Sequence, residues 1–345
     1  MSIAALILAA GSSTRFGSGK QLVRIGGRTM PAIVADTAAS VGLEPVIAVL
    51  PPGVDAPAGV VPVRNDQPSA GLSRSLRVGL ARVEASDAEA AIILLADQPT
   101  VDPEVLVRVA TDGGRAPIAA AFADGRIGPP ILIRREAFDL ASQISGDEGL
   151  RRVIDEHPEL VARIPVGAHA PDVDTPTDLD RVAPICPGCG ERFLDVPLGN
   201  EHPYIGASAG CWSAFAEVLA REFGDPAYGS VHRHTVDVYS VQHPGIDRRR
   251  ERQSVALHLI GICHWLEHDL GVPRLNVITQ RLASEDRDWP WLAPPMAYDM
   301  TVVDVRGARD GAEHRALVRA WAEAVWAAWS GHQPTVRRWA DEALG

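Results

Sequence analysis

The sequence predicts a mostly parallel α/β sheet covered by helices, followed by a second, mainly α-helical domain. Three observations predict it. Through the first half, short apolar runs alternate with helix-period segments, the pattern of parallel strands joined by crossover helices. The composition then breaks near residue 184: all eight tryptophans, all four tyrosines, all four cysteines and nine of the eleven histidines lie beyond it. Past that break, apolar residues recur at helical rather than strand spacing. A chain of 345 residues is long for one domain and comfortable for two. The expected domains are residues 1–182 and 184–345, with Val182-Ala183-Pro184-Ile185-Cys186-Pro187-Gly188-Cys189-Gly190 as a linker or knuckle between them.

Taken in order, strands are expected at Ile3–Leu8, Pro45–Leu50, Val60–Val63, Ala91–Ala96, Pro117–Ala121, Ile131–Ile133 and Val161–Ile164. Helices fit between them at Met30–Val41, Gly71–Val83, Pro103–Thr111, Glu148–Glu156 and Thr177–Val182. In such sheets ligands sit outside the carboxyl ends of the strands. Two features fall there: the Ala9–Lys20 loop after the first strand, and Asp97-Gln98-Pro99 after the fourth. In the second half, helices are expected at Ser213–Glu222, Ser230–Gln242, Gln253–Asp269 and Ala312–Ser330. In the last of these, Leu317, Trp321, Ala324, Val325 and Ala328 would form one apolar face.

Composition excludes several classes. Apolar residues make up 46% and charged residues 22%, the balance of a soluble globular protein. A net charge of −11 argues against non-specific binding to nucleic acid or anionic membrane, which depends on excess base. The apolar run Ile3 to Ala10 lacks the basic flank of a signal peptide and reads as a buried strand. No other run is long enough to span a bilayer. Four cysteines with one C-x-x-C pair do not make a disulfide framework at this length, so the cytoplasm is the expected compartment.

One residue stands out. Of 33 basic residues only Lys20 is lysine, and it closes the loop Leu8-Ala9-Ala10-Gly11-Ser12-Ser13-Thr14-Arg15-Phe16-Gly17-Ser18-Gly19-Lys20. An ammonium is a point charge on a slim stem, suited to places a guanidinium fork cannot enter. The loop is not a Walker A loop, because Thr14 stands where its first glycine belongs and Gln21 follows the lysine. Nor is it a dinucleotide fingerprint, since Leu22 replaces the third glycine. What remains is either a mobile glycine-serine turn or a backbone wrap for an anion, with Arg15 and Lys20 to neutralise it. Asp97, at the end of a very apolar strand, is where a hard cation would be held against phosphate oxygens. Its other reading, a helix cap, suits Asp102 better. In Asp172-Val173-Asp174-Thr175-Pro176-Thr177-Asp178, Asp172 and Asp174 alternate, so one can face a metal while the other faces away, and Asp178 is solvated or capping.

Six ordered segments carry a resemblance. They are Leu8-Ala9-Ala10-Gly11-x-Ser13-x-Arg15-Phe16-Gly17-x-x-Lys20, Gly71-Leu72-Ser73-Arg74-Ser75-Leu76-Arg77-Val78-Gly79-Leu80 and Asp97-Gln98-Pro99. Gly128-Pro129-Pro130, Gly146-Asp147-Glu148-Gly149 and Asp172-Val173-Asp174-Thr175-Pro176 complete the set. With them, residues 1–182 resemble the MobA-like nucleotidyltransferases, especially the molybdenum cofactor cytidylyltransferase branch. The resemblance implies a Rossmann-like fold and Mg²⁺-dependent transfer of NMP from an NTP to a phosphate monoester, with pyrophosphate released. It also implies that Arg15 and Lys20 bind the triphosphate. Leu8, Ala9, Ala10, Gly11, Ser12, Ser13, Ser73 and Ser75 would hold the nucleotide, while Asp97 and Asp174 would hold the metal. Ala10, where guanylyltransferases of the family carry glycine, implies CTP as donor, and molybdopterin as acceptor follows from the branch. Pro129 stands where many relatives carry histidine, a departure on the acceptor side. The alternative reading is a cofactor carrier, an insertion factor for a molybdoenzyme client that has no turnover of its own.

The second half offers less chemistry. Cys186-Pro187-Gly188-Cys189 has the turn of half a zinc site, and His202 or Cys211 would supply the rest. The plainer alternative is a reduced pair, with Cys211 and Cys263 packed as small apolar residues. His232, Asp237, His243 and His258 would meet between two helices as a metal or catalytic cluster, or else serve as hydrogen-bonded polar groups in a helical core; a separate hydrolase would be built around His232, Asp237 and His258. The Val231–Gly245 and Gln253–Ile260 segments, with Gly210-Cys211-Trp212 and Cys186-x-x-Cys189, resemble a bacterial domain family of unknown function over about residues 184–345.

Overall fold

Seven strands form one sheet: β1 Ile3–Leu8, β2 Val46–Leu50, β3 Val61–Arg64, β4 Ala90–Leu95, β5 Ile118–Ala123, β6 Arg126–Arg134 and β7 Val161–Pro165. The structure, a computed structural model, describes residues 2–11, 16, 19–146, 149–197 and 202–344. The order across the sheet is β3-β2-β1-β4-β6-β5-β7. All neighbours pair in parallel except β6, which is antiparallel to both β4 and β5. This is the mostly parallel, Rossmann-like arrangement that the alternation of apolar runs and helices demands.

Successive residues of a strand point to opposite faces, and both faces of this sheet are covered. Ala4, Leu6 and Leu8 pack with α2 Leu72–Glu84, α4 Phe138–Ser142 and α5 Arg151–Glu156. Ala5, Ile7 and Ala9 pack with α1 Met30–Ser40 and α3 Pro103–Thr111 on the other face. The helix α6 Pro176–Val182 ends this unit.

β6 is three times the length of the expected Ile131–Ile133. Gly128, Pro129 and Pro130 punctuate the sequence as a turn would. The ladder passes them by a bulge: Ala120 faces Ile131 and Ala121 faces Gly128, which leaves the two prolines without a partner to bond. The short strands Arg24–Ile25 and Arg28–Thr29 form a hairpin that the sequence reading did not anticipate. The expected helix Glu148–Glu156 begins only at Arg151, and Asp147 and Glu148 lie outside the described residues.

The chain divides after Val182 into two compact units. The second begins with a turn at Cys186–Gly190, closed by the bridge Ile185↔Arg192. Helices follow: α7 Ala209–Gly224, α8 Pro226–Gly229, α9 His232–Gln242, α10 Arg249–His268, α11 Val272–Ser284, α12 Val302–Arg306, α13 Gly311–Ala328 and α14 Gln333–Leu344. The buried stripe of α13 is Val318, Trp321, Ala322, Val325 and Trp326. It is rotated from the expected one, so Leu317, Ala324 and Ala328 are only half-buried. Two indole rings claim more interior space than the small residues beside them. Among the described residues, no helix is long and apolar enough to cross a membrane.

Candidate functional site

β1 and β4 run side by side in register from Ile3↔Ala90 to Leu8↔Leu95, so both chains leave the sheet at one level. The Ala96 N–H donates to the Leu8 carbonyl at 3.1 Å, carrying the pairing one step further. Beyond that edge opens a cleft of about 490 Å³. Leu8, Ala9, Ala10, Gly11, Lys20, Ser75, Asp97 and Asp174 all line it. Residues up to 166 positions apart in sequence thus share one wall because two adjacent strands end together.

At its centre the Lys20 Nζ donates to Asp97 Oδ2 at 2.7 Å and to Asp174 Oδ1 at 3.0 Å. The lysine side chain is 15% exposed. Burial by itself would lower its pKa, but hydrogen bonds and charge from Asp97 and Asp174 outweigh burial and hold it above the ordinary lysine value. The Val173 N–H donates to the Asp97 carbonyl at 2.9 Å, which brings the acidic segment to the strand end. Asp172 points to a different partner, accepting from Gln98 Nε2 at 3.0 Å. Burial, then the charge of Asp97, raises the Asp172 carboxyl above its usual range. Asp178 caps α6, accepting from the Thr175 backbone N–H, with that residue's hydroxyl bonded in return. The donor set suits a hard divalent cation: two carboxylate oxygens already converge on one positive charge, with room in the cleft for phosphate and water oxygens.

Ser73 stands apart from this wall. It is fully buried, does not line the cleft, and its hydroxyl has no partner among the described residues. Ser12, Ser13 and Arg15 lie outside the described residues.

In the second unit, the Cys186, Cys189 and Cys211 sulfurs come together with His243 Nε2, all within 4.8 Å of one another and buried. His202 is not among them; its ring packs on Tyr204 and Trp212 instead. Nor do the four expected polar residues form one cluster. Asp237 holds His258 at 2.6 Å and Arg233 at 2.9 Å, His232 bonds Glu222 at 2.9 Å, and His243 joins the cysteines. Position 237 lies about 140° around α9 from 232, and His243 ends the helix about three turns beyond His232, so each meets different neighbours.

The comparisons agree with this architecture. Residues 5–161 match the MobA-like NTP transferase domain, and residues 184–330 match a family of unknown function, DUF5946. The first unit is a MobA-like NTP transferase domain, the second a DUF5946 domain. The chain is 27% identical over 194 residues to the purine catabolism protein PucB of Bacillus subtilis (strain 168), covering 51% of this chain and 94% of that protein. Among solved structures it is similar to Rv0371c from Mycobacterium tuberculosis H37Rv, at 30% identity and a TM-score of 0.47, over 52% of this chain and 96% of that one. It is also similar to a nucleotidyl transferase from Methanothermobacter, at 22% identity and a TM-score of 0.45, over 52% and 95% of the two chains.

The NTP transferase domain uses three polar residues that sequence reasoning passed over. Gln21 Nε2 donates to the Gly11 carbonyl at 2.7 Å, joining the two ends of the loop. Asn65, fully buried at the end of β3, donates to the Ser75 Oγ and accepts from the Gln67 N–H and Arg74 Nε. Gln98 holds Asp172. Asn65 had a signal, a lone amide closing an apolar strand, but no motif drew attention to it. The DUF5946 domain hides a fourth: Glu222 is buried and accepts from Thr235 and His314 as well as His232.

Proposed function

We propose that the first unit transfers a nucleoside monophosphate from an NTP to a phosphate monoester and releases pyrophosphate. CTP is the favoured donor and a molybdopterin-type phosphate the favoured acceptor. The observation that carries this reading is the Lys20 ammonium held by Asp97 and Asp174 in a nucleotide-sized cleft at the strand ends. Membership of the MobA-like NTP transferase domain supports the reaction class, and Ala10 in the cleft wall supports cytosine over guanine.

The reaction follows from charge. A monoester oxygen attacks the α-phosphorus, the bond to the bridging oxygen breaks, and its electron pair leaves on pyrophosphate. Nucleophile and electrophile are both anionic, so alignment and neutralisation supply most of the catalysis. The monoester is already ionised near neutral pH, and no general base is required. Lys20 and Arg15 would neutralise the triphosphate, while the Leu8–Gly11 backbone and Ser75 would hold ribose and base. Asp97 and Asp174 would hold Mg²⁺, which when bound supplies further positive charge to the phosphate oxygens.

A second cleft of about 380 Å³ suits the acceptor. It shares Leu8, Leu72 and Leu95 with the first, is floored by Leu76, Ile93 and Ile131, and carries Arg126, Arg151 and Arg163. An apolar floor with guanidinium groups fits a flat organic body bearing phosphate. The test is a panel of CTP, GTP and ATP against molybdopterin and simpler phosphate monoesters, read by pyrophosphate release with and without Mg²⁺. Release with CTP above the other two is expected. Nucleotide binding without release from any pair would overturn the assignment.

A second reading is favoured by one observation: the relative PucB is named for purine catabolism rather than for transfer. In that reading the domain carries a nucleotide or molybdenum cofactor to a client enzyme. A stable complex with a molybdoenzyme apoprotein, formed without pyrophosphate release, would put it first.

A further inference from the structure

We propose that Cys186, Cys189, Cys211 and His243 form a closed structural Zn²⁺ site that fastens the entry knuckle of the second unit to α7 and α9. The four donors come from three separate places: the Cys186–Gly190 turn, the first turn of α7, and the residue ending α9. All four residues are buried, and no disulfide joins the cysteines.

The distances fit one tetrahedral ion. Bonds of about 2.3 Å to sulfur and 2.0–2.1 Å to nitrogen put donors about 3.8 Å apart for S···S and about 3.5 Å for S···N. Cys189 Sγ and Cys211 Sγ are 3.9 Å apart, and Cys211 Sγ lies 3.3 Å from His243 Nε2. A disulfide needs sulfurs about 2.05 Å apart. With every donor within 4.8 Å of every other, the space holds a single ion rather than a polynuclear cluster. Three thiolates and an imidazole select a soft or borderline cation over Mg²⁺ or Ca²⁺.

The surroundings prepare the donors. His243 Nδ1 lies 2.8 Å from the Tyr239 carbonyl, which can only accept. Nδ1 therefore carries the proton, and Nε2 presents its lone pair to the cysteines, the tautomer a metal needs. The Ser208 N–H donates to Cys186 Sγ and the Tyr239 hydroxyl donates to Cys211 Sγ, each at 3.4 Å. Such bonds spread the excess negative charge of three thiolates on one divalent ion. The turn itself is shaped for close approach. Gly190 has φ +81°, and a Cβ at Gly188 would come within 2.3 Å of the His243 ring and 2.9 Å of the Gln242 carbonyl. Four protein donors leave no position for water or substrate, which makes the site structural rather than catalytic.

The experiment is metal analysis of the full chain purified without chelator, together with Co²⁺ substitution. One zinc per chain is expected, retained through dialysis, and the cobalt form should show tetrahedral d–d bands with a thiolate charge-transfer band. His243→Ala and Cys211→Ser should weaken retention roughly tenfold or more. His243→Cys should keep one metal and strengthen the charge-transfer band. Cys263→Ser, at a cysteine outside the site, should leave zinc unchanged. If Cys211→Ser fails to fold, the wild-type stoichiometry and the His243→Cys spectrum still decide. The proposal falls if the reduced wild-type chain neither carries nor takes up zinc, if Cys189 and Cys211 are found as a disulfide in place of metal, or if zinc survives the His243→Ala and Cys211→Ser changes undiminished.

Discussion

A single ammonium between two carboxylates makes Lys20 the centre of the proposed transfer site. Its neighbours fix where the charge sits: Asp97 Oδ2 at 2.7 Å and Asp174 Oδ1 at 3.0 Å. A guanidinium there would be broader and planar, and could not follow a slim point charge from carboxylates to phosphate. Lys20→Arg is expected to lower pyrophosphate release about 10²–10³-fold, as loss of one preorganised electrostatic contact does. Full turnover in that variant would show the lone lysine to be a compositional accident. A different residue sets a pH limit on the second unit. His234 is buried flat against Trp265, with ring centroids 3.7 Å apart, and burial lowers its pKa to about 4 while Asp237 partly opposes and Arg233 and Arg319 assist. Its unfolded pKa is near 6.5, so between pH 6.5 and 4 the unfolded state binds the extra proton. Stability from the neutral ring is complete above pH 6.5 and falls as pH drops towards 4, by at most about 1.4 kcal/mol per unit. Chemical denaturation of wild type and His234→Phe across this window should show a shallower slope in the variant, and equal slopes would remove His234 from the account.

Elements depend on how closely their backbones approach, and α2 on β1 is a close case in the first unit. A Cβ on Gly79 would meet Leu6 Cδ1 at 2.5 Å and Val49 Cγ2 at 3.0 Å, and both partners are fully buried. Helix propensity favours alanine by about 1 kcal/mol, but overpacking a filled core costs about 1–3 kcal/mol. Because α2 carries Ser75 and starts beside the cleft, Gly79→Ala should lower both thermal stability and nucleotide affinity; an unchanged melting temperature would mean the layers can separate freely. The sequence made this geometry half-visible. Gly79 belongs to a motif recognisable by residue type, and β1 and β4 are continuous apolar runs, so the strand-end position of Asp97 could be read directly. What could not be read was pairing across space. Pro129 and Pro130 lay outside the expected strand because only the register shift at Ala120 reveals the bulge that admits them. Asn65, Gln21 and Gln98 act through single hydrogen bonds that leave no periodicity. His243 was legible as a metal-ligating type but not as the partner of Cys186 and Cys189, in a turn far earlier in the chain. By contrast, α12 carried its own signal, the capping box Thr301-x-x-Asp304, in a helix too short to show an apolar period.

Across the whole molecule the apolar interior is divided as sharply as the composition. One buried cluster contains only residues from Cys186 onward, and the two clusters flanking the sheet contain only residues before Val182. Separate cores are the physical basis for separate folding units. Because all eight tryptophans lie in the second, their fluorescence reports that core, whereas far-ultraviolet circular dichroism reports both. Buried Trp289, Trp321 and Trp329 make the signal sensitive to packing. This division allows the two proposals to be tested independently in one full-length chain. Stripping zinc under reducing conditions removes a link among the turn, α7 and α9, and should lower the tryptophan-reported melting temperature by several degrees. CTP with Mg²⁺ should raise the tryptophan-silent part of the dichroism transition, since a ligand that binds only the folded state stabilises it in proportion to its saturation. Gly79→Ala should lower that same part and leave the fluorescence midpoint in place. If zinc removal moves the tryptophan-silent transition equally, or Gly79→Ala moves the fluorescence midpoint equally, the two cores do not unfold as separate units and the fusion acts as a single cooperative body.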